Sequence, residues 1–125
     1  MKIFFGLFLL LLYPFCLRAQ STNIGFLTGN DLVTQCRHDL TVNTSKTYLT
    51  PCTAYILGVD AGTNQASRAH PKDGIWICIP MGTPQDRVIG AVLKYAEKHP
   101  EEAKLAAWKI VISPLLIEFP CPNEG

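Results

Sequence analysis

From residue 83 onward, apolar and polar positions alternate at a helical period. Thr83-Pro84-Gln85-Asp86 has the form of a helix start, and Val88, Ala91, Val92 and Tyr95 then share one face, with Arg87, Lys94 and Lys98 elsewhere. His99-Pro100-Glu101-Glu102 ends that helix and starts another, with both glutamates in the first turn, where the helix dipole favours negative charge. Leu105, Trp108, Ile112, Leu115 and Phe119 continue at helical spacing. Ser113-Pro114 interrupts this run and predicts a kink or break, because proline removes a backbone hydrogen bond and crowds the preceding turn. Pro120 stops the helix.

The first half carries two further start signals. Thr28-Gly-Asn-Asp31 is a capping box, with an acid three residues after a hydroxyl, and predicts a short helix through Cys36 to about Asp39. Thr50-Pro51 places a capping hydroxyl before a proline at the first helical position, where its missing N–H is not needed. The helix that follows, CTAYILGVDAGTNQAS, is apolar nearly all round between Ala54 and Val59, which predicts a central position. Within it, Asp60 is expected to be hydrogen-bonded or paired with a base across the bundle. Gly58 and Gly62 lie on one face that would let another helix approach. Gly74 to Ile79 is the one segment expected to be extended. The pattern is that of an all-α protein, a small bundle of about four helices with short connections, in which sequence neighbours run antiparallel.

The amino terminus, MKIFFGLFLLLLYPFCLRA, has one lysine, an apolar run from Ile3 to Leu12, a helix-breaking Pro14 and a small residue, Ala19, at a cleavage position. The run is too short for a membrane anchor. Residues 1–19 therefore read as a signal peptide that takes Cys16 with it, and 20–125 as a single domain in an exported, periplasmic protein with no membrane attachment after cleavage. The whole chain has 11 Lys and Arg against 10 Asp and Glu. Loss of Lys2 and Arg18 turns that balance slightly negative, which argues against nucleic acid.

Four cysteines remain: Cys36, Cys52, Cys78 and Cys121. An even number in an exported chain reads as two disulfides, with three possible connectivities. No two lie close enough for the C-x₂-C pair usual in a zinc site. Antiparallel packing selects among the connectivities. If the third and fourth helices form a hairpin turning at His99-Pro100, Cys78 before the third lies beside Cys121 after the fourth. Cys36, late in the first helix, likewise lies near Cys52 at the start of the second.

The ordered series Cys36, Cys52-Thr-Ala-Tyr55-Ile56-Leu-Gly58 with Asp60, Cys78-Ile79-Pro80, Tyr95 with His99-Pro100, and Phe119-Pro120-Cys121 resembles the Tai/Rap immunity proteins. The likeness covers the chain from about Gly29 to Cys121, and Ser113-Pro114 departs from the unbroken helix usual there. Those bacterial periplasmic proteins protect cells from peptidoglycan amidase effectors delivered by the type VI secretion system. The resemblance implies a helical, disulfide-bonded protein, commonly a homodimer, that binds the effector and obstructs its active-site cleft.

Nothing in the residues calls for catalysis. His38, His70 and His99 are scattered, and no nucleophile, metal-binding or nucleotide-binding motif accompanies them. No catalytic residue, metal or cofactor is expected. For partner binding the candidate is the polar stretch NQASRAHPKDG, Asn64 to Gly74, read as an irregular loop in which Arg68, His70, Lys72 and Asp73 supply charge and turn chemistry. Ile110, Val111 and Ile117 lie beyond the main stripe of the fourth helix, which predicts burial either against a second copy in a two-fold dimer or within the one subunit. The competing class of function is a periplasmic chaperone or carrier without catalytic activity.

Overall fold

Two of the helix starts are built by the residues that signal them. In the computed structural model, which describes residues 27–42 and 48–122, helix α1 spans Gly29–Val42. Its capping box is reciprocal: the Asp31 N–H donates to Thr28 Oγ1 at 3.2 Å, and the Thr28 N–H donates to Asp31 Oδ2 at 3.0 Å. Helix α2, Pro51–Ala69, is capped by Thr50, whose hydroxyl oxygen accepts the Thr53 N–H at 3.2 Å. Helix α3, Gln85–Lys98, starts differently from expectation. The Thr83 hydroxyl donates to the Pro80 carbonyl at 2.7 Å and closes a turn through Gly82, whose φ of 82° suits glycine. Pro84 at the N-cap offers no side-chain hydrogen bond, and Asp86 Oδ1 accepts the Arg87 N–H at 3.0 Å in the first turn of α3.

The last helix also departs from its periodicity. Beyond the turn at His99-Pro100 comes only a 3₁₀ turn, Glu102–Lys104, and α4 does not begin until Lys109, running to Glu118. The intervening backbone is taken by the start of the chain's described part. Gly29 N–H donates to the Leu105 carbonyl at 2.8 Å and Ala107 N–H to the Leu27 carbonyl at 2.9 Å, around an antiparallel bridge of Thr28 with Ala106. Gly29 is needed there, since a Cβ would lie 2.7 Å from the Ala103 carbonyl oxygen. Leu105 and Trp108, expected in the core, are each 47% exposed as a result. Pro114 does not break α4. It falls in the second turn of a helix that starts late, so it removes one ladder bond, and its buried ring packs as a hydrophobe.

The core is drawn from all four helices: Leu32 and Cys36, Cys52 and Ile56, Val88, Ile89 and Val92, and Ile110, Val111 and Leu115. The leucine, isoleucine and valine side chains among these each contribute about 1.5–3 kcal/mol by leaving water. Ile110 and Val111 are completely buried within the one chain, the second of the two arrangements expected from the sequence; of that trio only Ile117 is exposed. Nor is α2 buried all round. Ala54, Gly58, Ala61 and Gly62 face solvent, and nothing approaches the two glycines within 4 Å. These residues carry so little apolar surface that exposing them costs little. Among the described residues the architecture is all-α, with no strand beyond two bridge pairs. No helix there is long and apolar enough to cross a membrane.

Both disulfides join the expected partners, Cys36 with Cys52 and Cys78 with Cys121, each across a Cα separation of 4.9 Å. By loop closure they stabilise the fold by roughly 3 and 4 kcal/mol respectively.

Beside Cys36–Cys52 sits Asp39, a carboxylate only 3% exposed. Its Oδ2 accepts the Cys52 N–H at 2.8 Å, in the first turn of α2, and its Oδ1 accepts the Gln35 amide at 2.8 Å. Burial by itself raises the carboxyl's pKa. Hydrogen bonds from Cys52, Gln35, His38 and Thr50 outweigh it and hold the group below its usual value. A depressed folded-state pKa contributes stability above the unfolded value, near 3.9, and that contribution is lost as pH falls through the folded value. Asp31, lowered by its hydrogen bonds with Thr28, acts in the same direction. Asp39→Ala is expected to lower the urea-unfolding free energy at neutral pH by about 2–3 kcal/mol, through a buried N–H left unpaired and a lost charge-assisted bond. Asp39→Asn should flatten the loss of stability below about pH 4. An alanine variant as stable as the wild type would show that the cap does not hold α2.

Candidate functional site

Asp60, Asn64 and Ser67 continue the buried stripe of α2 beyond Ile56 at spacings of four, four and three residues, so the helix directs polar side chains at the chain packed beneath it. That chain is the extended segment after the helix. Asn64 clamps Ile77: its Oδ1 accepts the Ile77 N–H at 3.0 Å and its Nδ2 donates to the Ile77 carbonyl at 2.9 Å. The same amide group donates to Asp60 Oδ1 at 3.1 Å. Ser67 does likewise for Ile75, accepting its N–H at 2.7 Å and donating to its carbonyl at 2.6 Å. Side chains thus replace the neighbouring strand that an extended segment would otherwise need. Asp60 meets its expected hydrogen bond but has no ion pair among the described residues. Burial raises its pKa, with the Asn64 bond opposing.

The far side of the segment is fastened to the end of α4. Ile77 bridges Pro120, the Cys78 N–H donates to the Phe119 carbonyl at 3.0 Å, and Cys78–Cys121 closes the join. Between α2 and this braced segment runs a short turn, His70–Gly74. The His70 N–H donates to the Ala66 carbonyl at 3.1 Å and the Asp73 N–H to the His70 carbonyl at 3.2 Å. Gly74 permits the close return, because a Cβ would lie 2.9 Å from both Ser67 Cβ and Trp76 Nε1.

The candidate binding stretch is therefore shorter than its composition indicates. Asn64 to Ala69 are helical, since the polar residues that read as loop are satisfied by Ile75 and Ile77. Arg68, in the last turn of α2, and His70, Lys72 and Asp73, in the turn, are all exposed, and none of their side chains makes a hydrogen bond or ion pair among the described residues. The fold gathers all four at one end of α2. Ile75 and Trp76, which the sequence did not single out, add partly exposed apolar surface next to them.

Gln85 provides a second clamp, donating to the Tyr48 carbonyl at 2.8 Å and accepting the Thr50 N–H at 3.2 Å. Two clefts of about 350 and 460 Å³ meet at the Gly82–Gln85 turn, the smaller lined by Asp60, Leu57 and Ile79.

The three histidines stay apart. His38 Nδ1 lies 3.6 Å from Asp39, His70 is in the turn, and His99 stacks on Tyr95 with ring centroids 3.9 Å apart and donates from Nδ1 to the Tyr95 carbonyl. None is placed beside a nucleophile, and no described cluster of His, Cys, Asp and Glu could hold a metal ion. Arg68, His70, Lys72 and Asp73 thus lie on and beside a short exposed turn of a disulfide-stapled helical scaffold, next to a segment held by Asn64, Ser67 and Cys78–Cys121. Residues 28–121 match the family model of Rap1a immunity proteins, and the chain belongs to that family. No curated protein and no solved structure matches it.

The two disulfides differ in access. Cys36 and Cys52 are fully buried, whereas Cys78 is exposed and Cys121 half-buried. Thiol exchange needs contact with the attacking thiolate. Graded dithiothreitol followed by alkylation and mass spectrometry is expected to open Cys78–Cys121 first, and proteolysis to cut near residues 70–80 once it is open. Simultaneous reduction of both would contradict this.

Proposed function

We propose that the protein is a periplasmic immunity protein that binds a peptidoglycan amidase effector and occludes its active-site cleft. The observation that carries this reading is the His70–Gly74 turn, exposed at its tip and braced at both ends, on a scaffold of the Rap1a immunity family. A turn held in place before binding loses little conformational entropy on entering a cleft. Arg68 and Lys72 supply charge for orientation, and Trp76 and Ile75 supply apolar contact. Inhibition by occlusion needs no cofactor, and no enzymatic activity is assigned. The two disulfides suit an oxidising compartment, which accords with residues 1–19 acting as a signal peptide and 20–125 as the mature domain; that leader lies outside the described residues.

The direct test is a pull-down with residues 20–125, disulfides intact, against the product of the neighbouring gene and a panel of peptidoglycan amidases, followed by a hydrolysis assay on any enzyme retained. Capture with loss of hydrolysis is expected. Arg68→Ala/Lys72→Ala should weaken that capture by roughly tenfold or more with an unchanged melting curve. Unchanged affinity would remove the turn from the mechanism, and failure to retain any amidase would move the carrier reading to the front.

A homodimer belongs to the same proposal, with exposed apolar residues such as Leu105 and Trp108 available for burial. Sedimentation velocity is expected to show a two-fold species at high micromolar concentration, and a monomer throughout would exclude it.

A further inference from the structure

A groove of about 490 Å³ lies between α3 and α4, built from elements that the turn at residues 70–74 does not use. Ala91, Pro114 and Ile117 give it an apolar lining, and Ile117 is 73% exposed. Lys94 and Lys98 line the same groove. The acids around them are already engaged: Glu118 with Arg87 at 2.9 Å, Glu97 with Arg37 at 3.6 Å, Glu101 with Lys104 at 3.0 Å, and Glu102 with the Tyr95 hydroxyl at 3.1 Å. His99 is held by Tyr95. Lys94 and Lys98 have no hydrogen bond or ion pair among the described residues, and neither has the half-buried Ser113 hydroxyl between the helices. In a chain with nearly balanced charge, two uncompensated ammonium groups bordering an apolar groove form a local excess of positive charge.

We propose that this groove docks an acidic segment of a protein partner, with one apolar side chain seated among Ala91, Pro114 and Ile117 and flanking carboxylates on Lys94 and Lys98. The lysines are four residues apart on one helix, a rise of about 6 Å. Carboxylates two residues apart on an extended strand, about 6.6 Å, or four apart on a helix match that spacing. Concavity separates this occupant from a lipid surface, since a flat array of anionic headgroups would reach the lysines without filling the groove. The proposal is independent of the effector reading.

The test is selection of a randomised twelve-residue display library against the wild-type protein and against Lys94→Glu/Lys98→Glu, with phosphatidylglycerol vesicles assayed in parallel. Wild type is expected to enrich peptides with Asp or Glu flanking an apolar residue, at the spacings above. Their affinity should fall at least tenfold on the charge-reversed variant and on Ile117→Ser, and should weaken with added salt. Lys94→Gln/Lys98→Gln gives a milder change if reversal disturbs folding, which thermal melting will report. No enrichment of acidic peptides, or equal binding to the substituted proteins, overturns the proposal. Vesicle binding that depends on the lysines, with no acidic peptide enriched, overturns it in favour of a membrane surface.

Discussion

The buried carboxylate of Asp39 fixes the relation between α1 and α2, and the rest of the bundle is assembled on that pair. It sits near the end of one helix and takes the Cys52 N–H in the first turn of the next, so a single charge satisfies an orphan donor and complements the positive end of the α2 dipole. A buried carboxylate is tolerable only with such a set of donors. Cys36–Cys52 closes the same corner covalently, and Thr50, which caps α2, also hydrogen-bonds Asp39. Three different interactions therefore hold one junction, which sets where α2 points and hence where its polar stripe and the turn beyond it are delivered.

The second principle of the fold is the use of side chains as a substitute strand. Segment 75–80 is extended and irregular, and its backbone groups would need water or a sheet to satisfy them. Asn64 and Ser67 provide donor and acceptor in pairs from the helix above, while Phe119, Pro120 and Cys121 take the other edge. A helical protein of this size gains from such clamps a rigid exposed turn without building a sheet. On the proposed reading, in which the turn enters a partner's cleft, the clamps would act on function by holding it in place before binding.

Much of this was legible in the sequence because it depends on local chemistry. The capping box at Thr28 and Asp31, the Thr50-Pro51 start and the α3 face announce themselves within one or two turns, and the disulfide pairing follows once helices are taken as antiparallel. What was not legible depends on backbone competition between distant segments. Leu105 and Trp108 keep helical spacing, yet residues 105–107 pair with 27–29 instead of continuing a helix. The stretch from Asn64 carries two readings, the end of a helix that runs to Ser67 and the start of a polar loop, and Ile75 and Ile77 beneath it decide for helix. A signal was present: Asp39 follows Leu32 and Cys36 at helical spacing, and Asn64 and Ser67 follow Ile56, so each polar residue stood on a stripe already committed to the interior. A polar residue in register with a core stripe implies a fixed partner. The sequence names the residue and leaves the partner to the fold.

The unequal burial of the two disulfides follows from the separate places they hold in the fold. Cys36–Cys52 lies in the core, where it helps define a junction that no binding event needs to alter. Cys78–Cys121 lies near the surface together with the segment it anchors, next to the exposed turn. Burying that bridge would require covering segment 75–80, and with it the approach to Arg68, His70 and Lys72. An exposed staple therefore accompanies an accessible, rigid turn, and an oxidising compartment is the condition under which such a staple endures.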